Sequence, residues 1–518
     1  MITRRAALGG ALLPLLQGCE QQAEITGGFN GANPERGHRL RLPGVRTMTP
    51  PLTRRVRVLI AGGGVAGLAA ARALRLRGVE DFALLEMEDG PGGNSRGGQM
   101  SGIACPLGAH YLPVPSDDAR EVQDLLEELE LRQRMAGRWV YDERHLCHSP
   151  QDRLFFQGRW QEGLLPMEGV SSATLAQYGR ISARIEQLGR ATRFSVPVRR
   201  TQSQAAHLAL DAQTMQQWLD REGFTDAHLR WYLDYCCRDD YGAGLARVSA
   251  WAGIHYFASR HGFHDPAAEA AEHDPVLTWP EGNGWLVRRL ADPLGDRVVT
   301  HRTVLRIAED KHGVEVDAFN DASQAAERWR AERCIVALPV FVAARVVEDA
   351  PPLLRQRGAS VRYAPWVVAN LQLRGPLQDR PGAPPSWDNV VYGARSLGYV
   401  DARHQSLDPR PGPTVLSWYC APGEQARAGL LARSWQDWRD DIVNELGSMH
   451  PDLASKIVRV EVARYGHAMA IPVPGTLAQL AGGVPRTARL AFAHSDWAGY
   501  SVFEEAFTLG HAAGSAKT

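Results

Sequence analysis

Lysine is nearly absent from this 518-residue chain: Lys311, Lys456 and Lys517 stand against 55 arginines. A Schiff-base, phosphate-cradling or general-base lysine would have to come from those three, so lysine-dependent mechanisms start poorly supplied. A net charge is missing too. The 58 basic residues balance 58 acidic ones, with no block of either sign, which leaves no electrostatic footprint for nucleic acid. Long apolar runs are also lacking. The run from Ala6 to Gly18 has thirteen residues, whereas crossing a ~30 Å hydrocarbon core takes about 20. Cysteines number seven, too few for a disulfide framework, although some could pair in an oxidising compartment. None has zinc-type spacing, because Cys236 and Cys237 are adjacent and Cys147-His148 lacks partners at finger distance, so no metal is expected.

What is present begins with an address. Arg4-Arg5, the short apolar run and Leu16-Gln17-Gly18-Cys19 read as an exported signal of twin-arginine type ending in a lipobox. The expectation is a periplasmic lipoprotein whose only membrane contact is a lipidated Cys19. The Gly-, Pro- and polar-rich stretch 20–53 reads as a tether.

The body is too long for one ordinary core and implies two domains, possibly interleaved. Val56 to Ala61 is an apolar run of buried-strand type. It is followed by Gly62-Gly63-Gly64-Val65-Ala66-Gly67, an Ala/Leu-rich helical stretch, and a second strand, Phe82 to Leu85, that ends at Glu86. Gly62 suits a tight turn, Gly64 the approach of a pyrophosphate, and Gly67 close packing of helix on strand. Phosphates would sit at the helix start by Val65 and Ala66, with Glu86 accepting from a ribose. Strand, glycine loop, helix, strand and acid at these spacings predict dinucleotide binding.

A second glycine cluster follows, Gly90-Pro91-Gly92-Gly93-Asn94-Ser95-Arg96, and with it the sequence resembles the flavin-containing amine oxidase superfamily. That group includes monoamine and polyamine oxidases, protoporphyrinogen oxidase and phytoene-desaturase-like enzymes. The resemblance recurs in Leu107 to Tyr111, in the strands after Val298, in Cys334 to Pro339, and in Leu490 to Asp496 with Glu504 to Ala513. It implies FAD held by Gly92, Gly93, Arg96, Val304 (through its backbone), Asp496 (at the ribityl chain), and Glu505 and Ala506 at a helix start. His494 and Glu505 stand where the family usually has glycine. The implied fold is α/β, a discontinuous Rossmann-type FAD domain with a parallel sheet and β-meander (54–115, 280–348, 458–518) and an inserted α+β substrate domain (116–279, 349–457).

Helices are expected over Asp118–Met135, Thr214–Leu219, Leu229–Tyr235 and Val248–Ser259, and strands around Val367–Leu373, Leu397–Val400 and Thr414–Tyr419. By nearness to the resembling motifs, His110, Tyr111, His467, Trp497 and Tyr500 are the catalytic candidates. The lysine that related amine oxidases place on a substrate-domain strand is absent from Pro365 to Leu371, and their aromatic pair is not cleanly matched. Asp239 and Asp240, in the dense cluster Trp231 to Gly242, would suit a cationic substrate. The function implied is hydride transfer from a small molecule, an amine before others, to flavin, with oxygen or a quinone as acceptor. A desaturase of an apolar substrate and a non-catalytic flavin-binding lipoprotein are the alternatives.

Overall fold

The computed structural model describes residues 24–45, 48–260, 262–263, 275–408 and 410–516. The signal 1–19, Cys19 and Lys517 lie outside the described residues.

The described residues open with β1 (Thr26–Asn30) and α1 (Pro34–His38), then β2 (Leu52–Ala61), α2 (Val65–Leu76) and β3 (Phe82–Leu85). The apolar end of β2 is buried on both faces, as a parallel sheet covered by helices requires. In α2 five alanines and Gly67 between positions 66 and 73 allow nearly the whole helix to be buried. β2 pairs in parallel with β3 and with Glu327 to Val336 of the strand Ala325–Val336, while Val298–Val299 and Leu490–Phe492 extend the parallel sheet. The strand Ala325–Val336 also pairs antiparallel with Val314–Asn320, which in turn pairs with Arg302–Glu309. This is the expected α/β architecture: a parallel sheet and a β-meander built from segments far apart in the chain.

A second, eight-stranded mixed sheet runs in the order β1, Ile457–Ile471, Arg362–Leu373, Thr414–Cys420, Tyr399–Asp401, Asp388–Val391, Asp152–Phe156 and Arg159–Glu162. The helices Ser172–Ala191, Met215–Arg221 and Ala227–Tyr241 pack around Ala250–Ala258. Among the described residues no helix is long and apolar enough to cross a membrane, and the six cysteines Cys105, Cys147, Cys236, Cys237, Cys334 and Cys420 are free.

Three expectations about local structure change. The stretch read as a tether contains β1, which pairs in parallel with Arg459 to Ala463. Ile457–Ile471, grouped by sequence with the FAD segment 458–518, lies in the second sheet; the period-2 signal of a strand does not say which sheet it joins. The helix expected over Asp118–Met135 spans only Arg120–Glu128, and Arg132–Met135 forms a hairpin with Arg138–Tyr141. Ala136 and Gly137, both at positive φ, make the two-residue turn that twisted hairpins favour.

Candidate active site

A cavity of about 1380 Å³ opens between the two sheets and is walled by both. One end is the strand–loop–helix of β2 and α2. Gly62 adopts φ +105, and a Cβ there would meet the Ala337 carbonyl oxygen at 2.3 Å; at Gly67 a Cβ would meet the Gly62 oxygen at 1.9 Å. Both positions therefore require glycine, the first for the turn and the second for helix-on-strand packing. Gly64 differs, since a Cβ there would meet nothing within 4 Å and would project into the open space of the cavity. The start of α2 faces that space with free N–H groups and the positive end of its dipole. Gly92 donates to the Gly63 carbonyl at 2.7 Å, which holds the second glycine cluster against the first.

Glu86 closes this end. Its Oε2 accepts from the Gly63 N–H at 2.9 Å and its Oε1 from the Glu88 N–H at 2.8 Å. Burial raises its carboxyl above the ordinary range against the pull of those two bonds. Gly62, Gly64, Val65, Ala66, Glu86, Gly92, Gly93, Arg96, Val304 and Ala506 all line the cavity. Gly67 supports from behind the wall. Arg96 is shared between Asp89 at 2.5 Å and the Gly31 carbonyl at 3.2 Å. Asp496 lines the cavity with its Oδ2 already accepting from the Val340 N–H (2.9 Å) and the Tyr363 hydroxyl (2.5 Å). Burial alone would raise its carboxyl, but His494 and these donors outweigh it and hold the group below its usual value.

The other end is built from side chains. Asp239, Asp240, Arg260, Trp366, Tyr419 and Glu504 line it together with His110 and Tyr111. The Tyr111 hydroxyl donates to Asp239 Oδ2 at 3.2 Å, and Arg260 donates to Asp240 Oδ1 at 3.0 Å. Asp240 Oδ2 is buried with no hydrogen-bond partner. Burial, then the charge of Asp240, pushes Asp239 up to about 7, and burial also raises Glu504. Arg260 hydrogen-bonds Asp240, and its charge also acts on Asp239 and Glu504, with Arg238 acting on Asp239 as well. His110 sits against Tyr419, ring centroids 4.3 Å apart, and burial pushes it down to about 3, so it is neutral at ordinary pH. His467, stacked on Phe341 at 4.6 Å, is pushed down to about 4 by burial and then by Arg427, Arg41 and Arg345.

Three expected site residues are elsewhere. Trp497 and Tyr500 are 1% exposed and lie behind the wall. Trp497 packs edge-on to Phe492, and Tyr500 lies among Tyr241, Trp251 and His255 with its hydroxyl on Glu505 Oε1 at 2.7 Å. Glu505 turns away from the cavity and accepts from the Val198 N–H at 2.6 Å. Successive helix residues point about 100° apart, so Glu504 and Glu505 cannot share one face. Sequence reasoning missed Arg260, Trp366, Tyr419 and Phe341. Trp366 lies in the strand Arg362–Leu373, the region that lacks the lysine of related amine oxidases.

A glycine-cradled dinucleotide end joined to an aromatic and acidic end defines a two-lobed dinucleotide-dependent protein. The flavin containing amine oxidoreductase family model matches residues 65–514, and the chain belongs to that family. A Mycobacterium tuberculosis protein provisionally named a flavin-containing monoamine oxidase is 30% identical over 307 residues, 59% of this chain and 61% of that relative. The chain therefore spans less than two thirds of that relative's length. An L-amino acid dehydrogenase of Synechocystis is 25% identical over 237 residues, 43% of this chain and 46% of that protein. Among solved structures, putrescine oxidase bound to putrescine superposes with a TM-score of 0.66 at 17% identity, covering 89% of this chain and 98% of that one. Cyclohexylamine oxidase of Brevibacterium oxydans gives 0.64 at 18% identity over the same shares. These two likenesses show the fold.

A flavin family with a dinucleotide cradle takes FAD, and the residues present fit it. The open space before Gly64, the unpaired N–H groups at the start of α2 and the fixed carboxylate of Glu86 match a diphosphate and a ribose.

Proposed function

We propose that the protein is an FAD-dependent oxidoreductase acting on an amine. The observation that carries the amine is the acidic end of the cavity, where Asp239, Asp240 and Glu504 line the wall with Arg260. An apolar substrate would leave these buried carboxylates uncompensated, and an acid substrate would be repelled by them; an ammonium group offsets their charge. FAD, when bound, supplies the acceptor for the two electrons and hydrogen lost from the substrate C–H bond. The chain's own work is positioning. Asp239, oriented by the Tyr111 hydroxyl, accepts from the substrate ammonium, and because it titrates near neutral pH it can take the proton that must leave before the C–H bond breaks. Trp366, Tyr419 and the neutral ring of His110 keep that end apolar and exclude water. The names of the relatives, monoamine, putrescine and cyclohexylamine oxidase, favour the same class.

The test is anaerobic titration of the purified yellow protein with a panel of amines while the flavin absorbance is followed. Bleaching by a subset of amines is expected; no bleaching with any amine sinks the proposal. We further propose oxygen or a quinone as the acceptor. Export as a lipoprotein, proposed from Arg4-Arg5 and Leu16 to Cys19, is tested by the mass of the mature N-terminus, which should begin at a lipidated Cys19.

A further inference from the structure

The family match begins at residue 65, yet the wall of the cavity begins earlier. Ala32, Asn33, Gly37, His38, Leu40 and Arg41 line it beside Glu86, Met87, Glu88 and Val304. This segment is fastened at both ends and in the middle. β1 adds five residues in parallel to the edge of the second sheet, with the Asn30 side chain donating to Glu461 at 2.7 Å. The Asn33 backbone N–H donates to Glu88 Oε1 at 2.8 Å, and the Asn33 side chain caps α1 by accepting from Glu35 and Arg36. Arg36 pairs with Glu88 at 3.2 Å and with Asp321 at 2.8 Å; Arg39 also pairs with Asp321 and lies over the Phe319 ring at 4.1 Å.

Those anchors are not random surface groups. Glu88 is the residue whose N–H orients Glu86, and Arg96 donates to the carbonyl of Gly31. The segment is thus joined on one side to the carboxylate placed for a ribose and on the other to the glycine loop placed for a diphosphate. It also bridges the two sheets, since β1 belongs to one, Phe319 lies in a strand of the other, and Glu88 and Asp321 lie in the loops that follow that sheet's strands.

Resting on the FAD reading above, we propose that residues 26–41 are a retaining strap for the cofactor, a part of the binding site that lies outside the matched family region. Bound FAD then leaves only when the strap lifts from Glu88 and Asp321. The strap is part of the wall, so its own side chains also set how much room the cofactor has. Gly37 makes this checkable: the nearest atom to a Cβ there is Met87 Cε at 4.0 Å, so a larger side chain is tolerated by the protein but intrudes on the cavity.

The experiment uses the full chain loaded with FAD. Release is followed as the gain of free-flavin fluorescence after dilution, and melting is measured with and without FAD. The double variant Arg36→Ala/Arg39→Ala is expected to release FAD about tenfold faster, while melting of the FAD-free protein falls by less than melting of the loaded protein. Gly37→Leu is expected to fold normally without FAD and to bind FAD about tenfold more weakly. Wild-type release rates and affinities in both variants overturn the proposal. So does a fall in melting of the FAD-free double variant as large as that of the loaded one, which would make the strap a structural brace. A wild-type protein that carries and takes up no FAD overturns the cofactor reading instead, a result these variants cannot produce.

Discussion

The two ends of the cavity are made in different ways. The dinucleotide end is backbone: glycines at 62, 64 and 67, the start of α2, and a glutamate held by two N–H groups. The buried acidic end is side chains: Asp239, Asp240, Arg260 and Glu504 under an aromatic wall. Backbone recognition fixes which positions must lack a Cβ, so it permits little variation. Side-chain recognition can be rebuilt from almost any surrounding segments. One end is therefore constrained by its backbone and the other by the identity of its side chains.

The sharpest break in that comparison is Gly64→Val. The added side chain fills the space before α2, and FAD affinity should fall about 100-fold or more, read as colourless purified protein. Glu86→Ala comes next, since it removes the acceptor of Gly63 and Glu88 and leaves two buried N–H groups without partners. FAD affinity should drop roughly tenfold to 100-fold, with a loss of about 1–3 kcal/mol in stability. Neither variant alters the acidic end, so any protein reloaded at high FAD should keep its amine preference. A changed preference would mean that the two ends are not separable.

Asp239→Asn acts on the other side. Flavin content should stay normal while KM for the best amine rises about tenfold, the loss of one charge-assisted contact. In the parent, Asp239 is neutral below about 7 and charged above it. Its neighbours Asp240, Arg260, Arg238, Tyr111 and Asp388 shape that titration. An alkylamine is a cation throughout, so KM should fall as pH rises from 6 to 8, and the asparagine variant should flatten that slope. The stability sign is opposite. The unfolded carboxyl loses its proton near 4 and the folded one only near 7, so the folded state holds more protons in between. Stability therefore declines as pH rises through that window, and Asp239→Asn should remove part of the decline. Melting curves at pH 5 and pH 8 measure it.

The same division explains what could be read from the chain. The cradle lies within Val56 to Glu86, where turn, approach and packing each demand glycine at a set spacing, and the parallel sheet with its meander was implied by the family resemblance. The acidic end draws on residues 111, 239, 260, 366, 419 and 504, whose spacings carry no shared constraint. Asp239 and Asp240 stood out only because they sit in a dense cluster of aromatics and charges. The strap was invisible because Gly, Pro and polar residues are also the composition of a linker, and β1 is only half buried, so it shows no apolar alternation. The adjacent pair Glu504 and Glu505 depended on helix phase, which is lost if a boundary is misjudged by one residue.

That pair gives the smallest and most specific prediction. Glu504 lines the cavity and Glu505, one residue on, is pushed up to about 7 by burial, with its Oε2 unpartnered. Glu505→Gln keeps an acceptor for the Val198 N–H and the Tyr500 hydroxyl while removing a charge that burial disfavours. FAD content, KM and kcat should not move. Stability should rise by about 1 kcal/mol at pH 8, where the native carboxylate is ionised, and hardly change at pH 5, where it is protonated. If Glu505→Gln instead strips the flavin, this position contacts the cofactor, and the boundary between the dinucleotide end and the acidic end must be drawn one residue further along the helix.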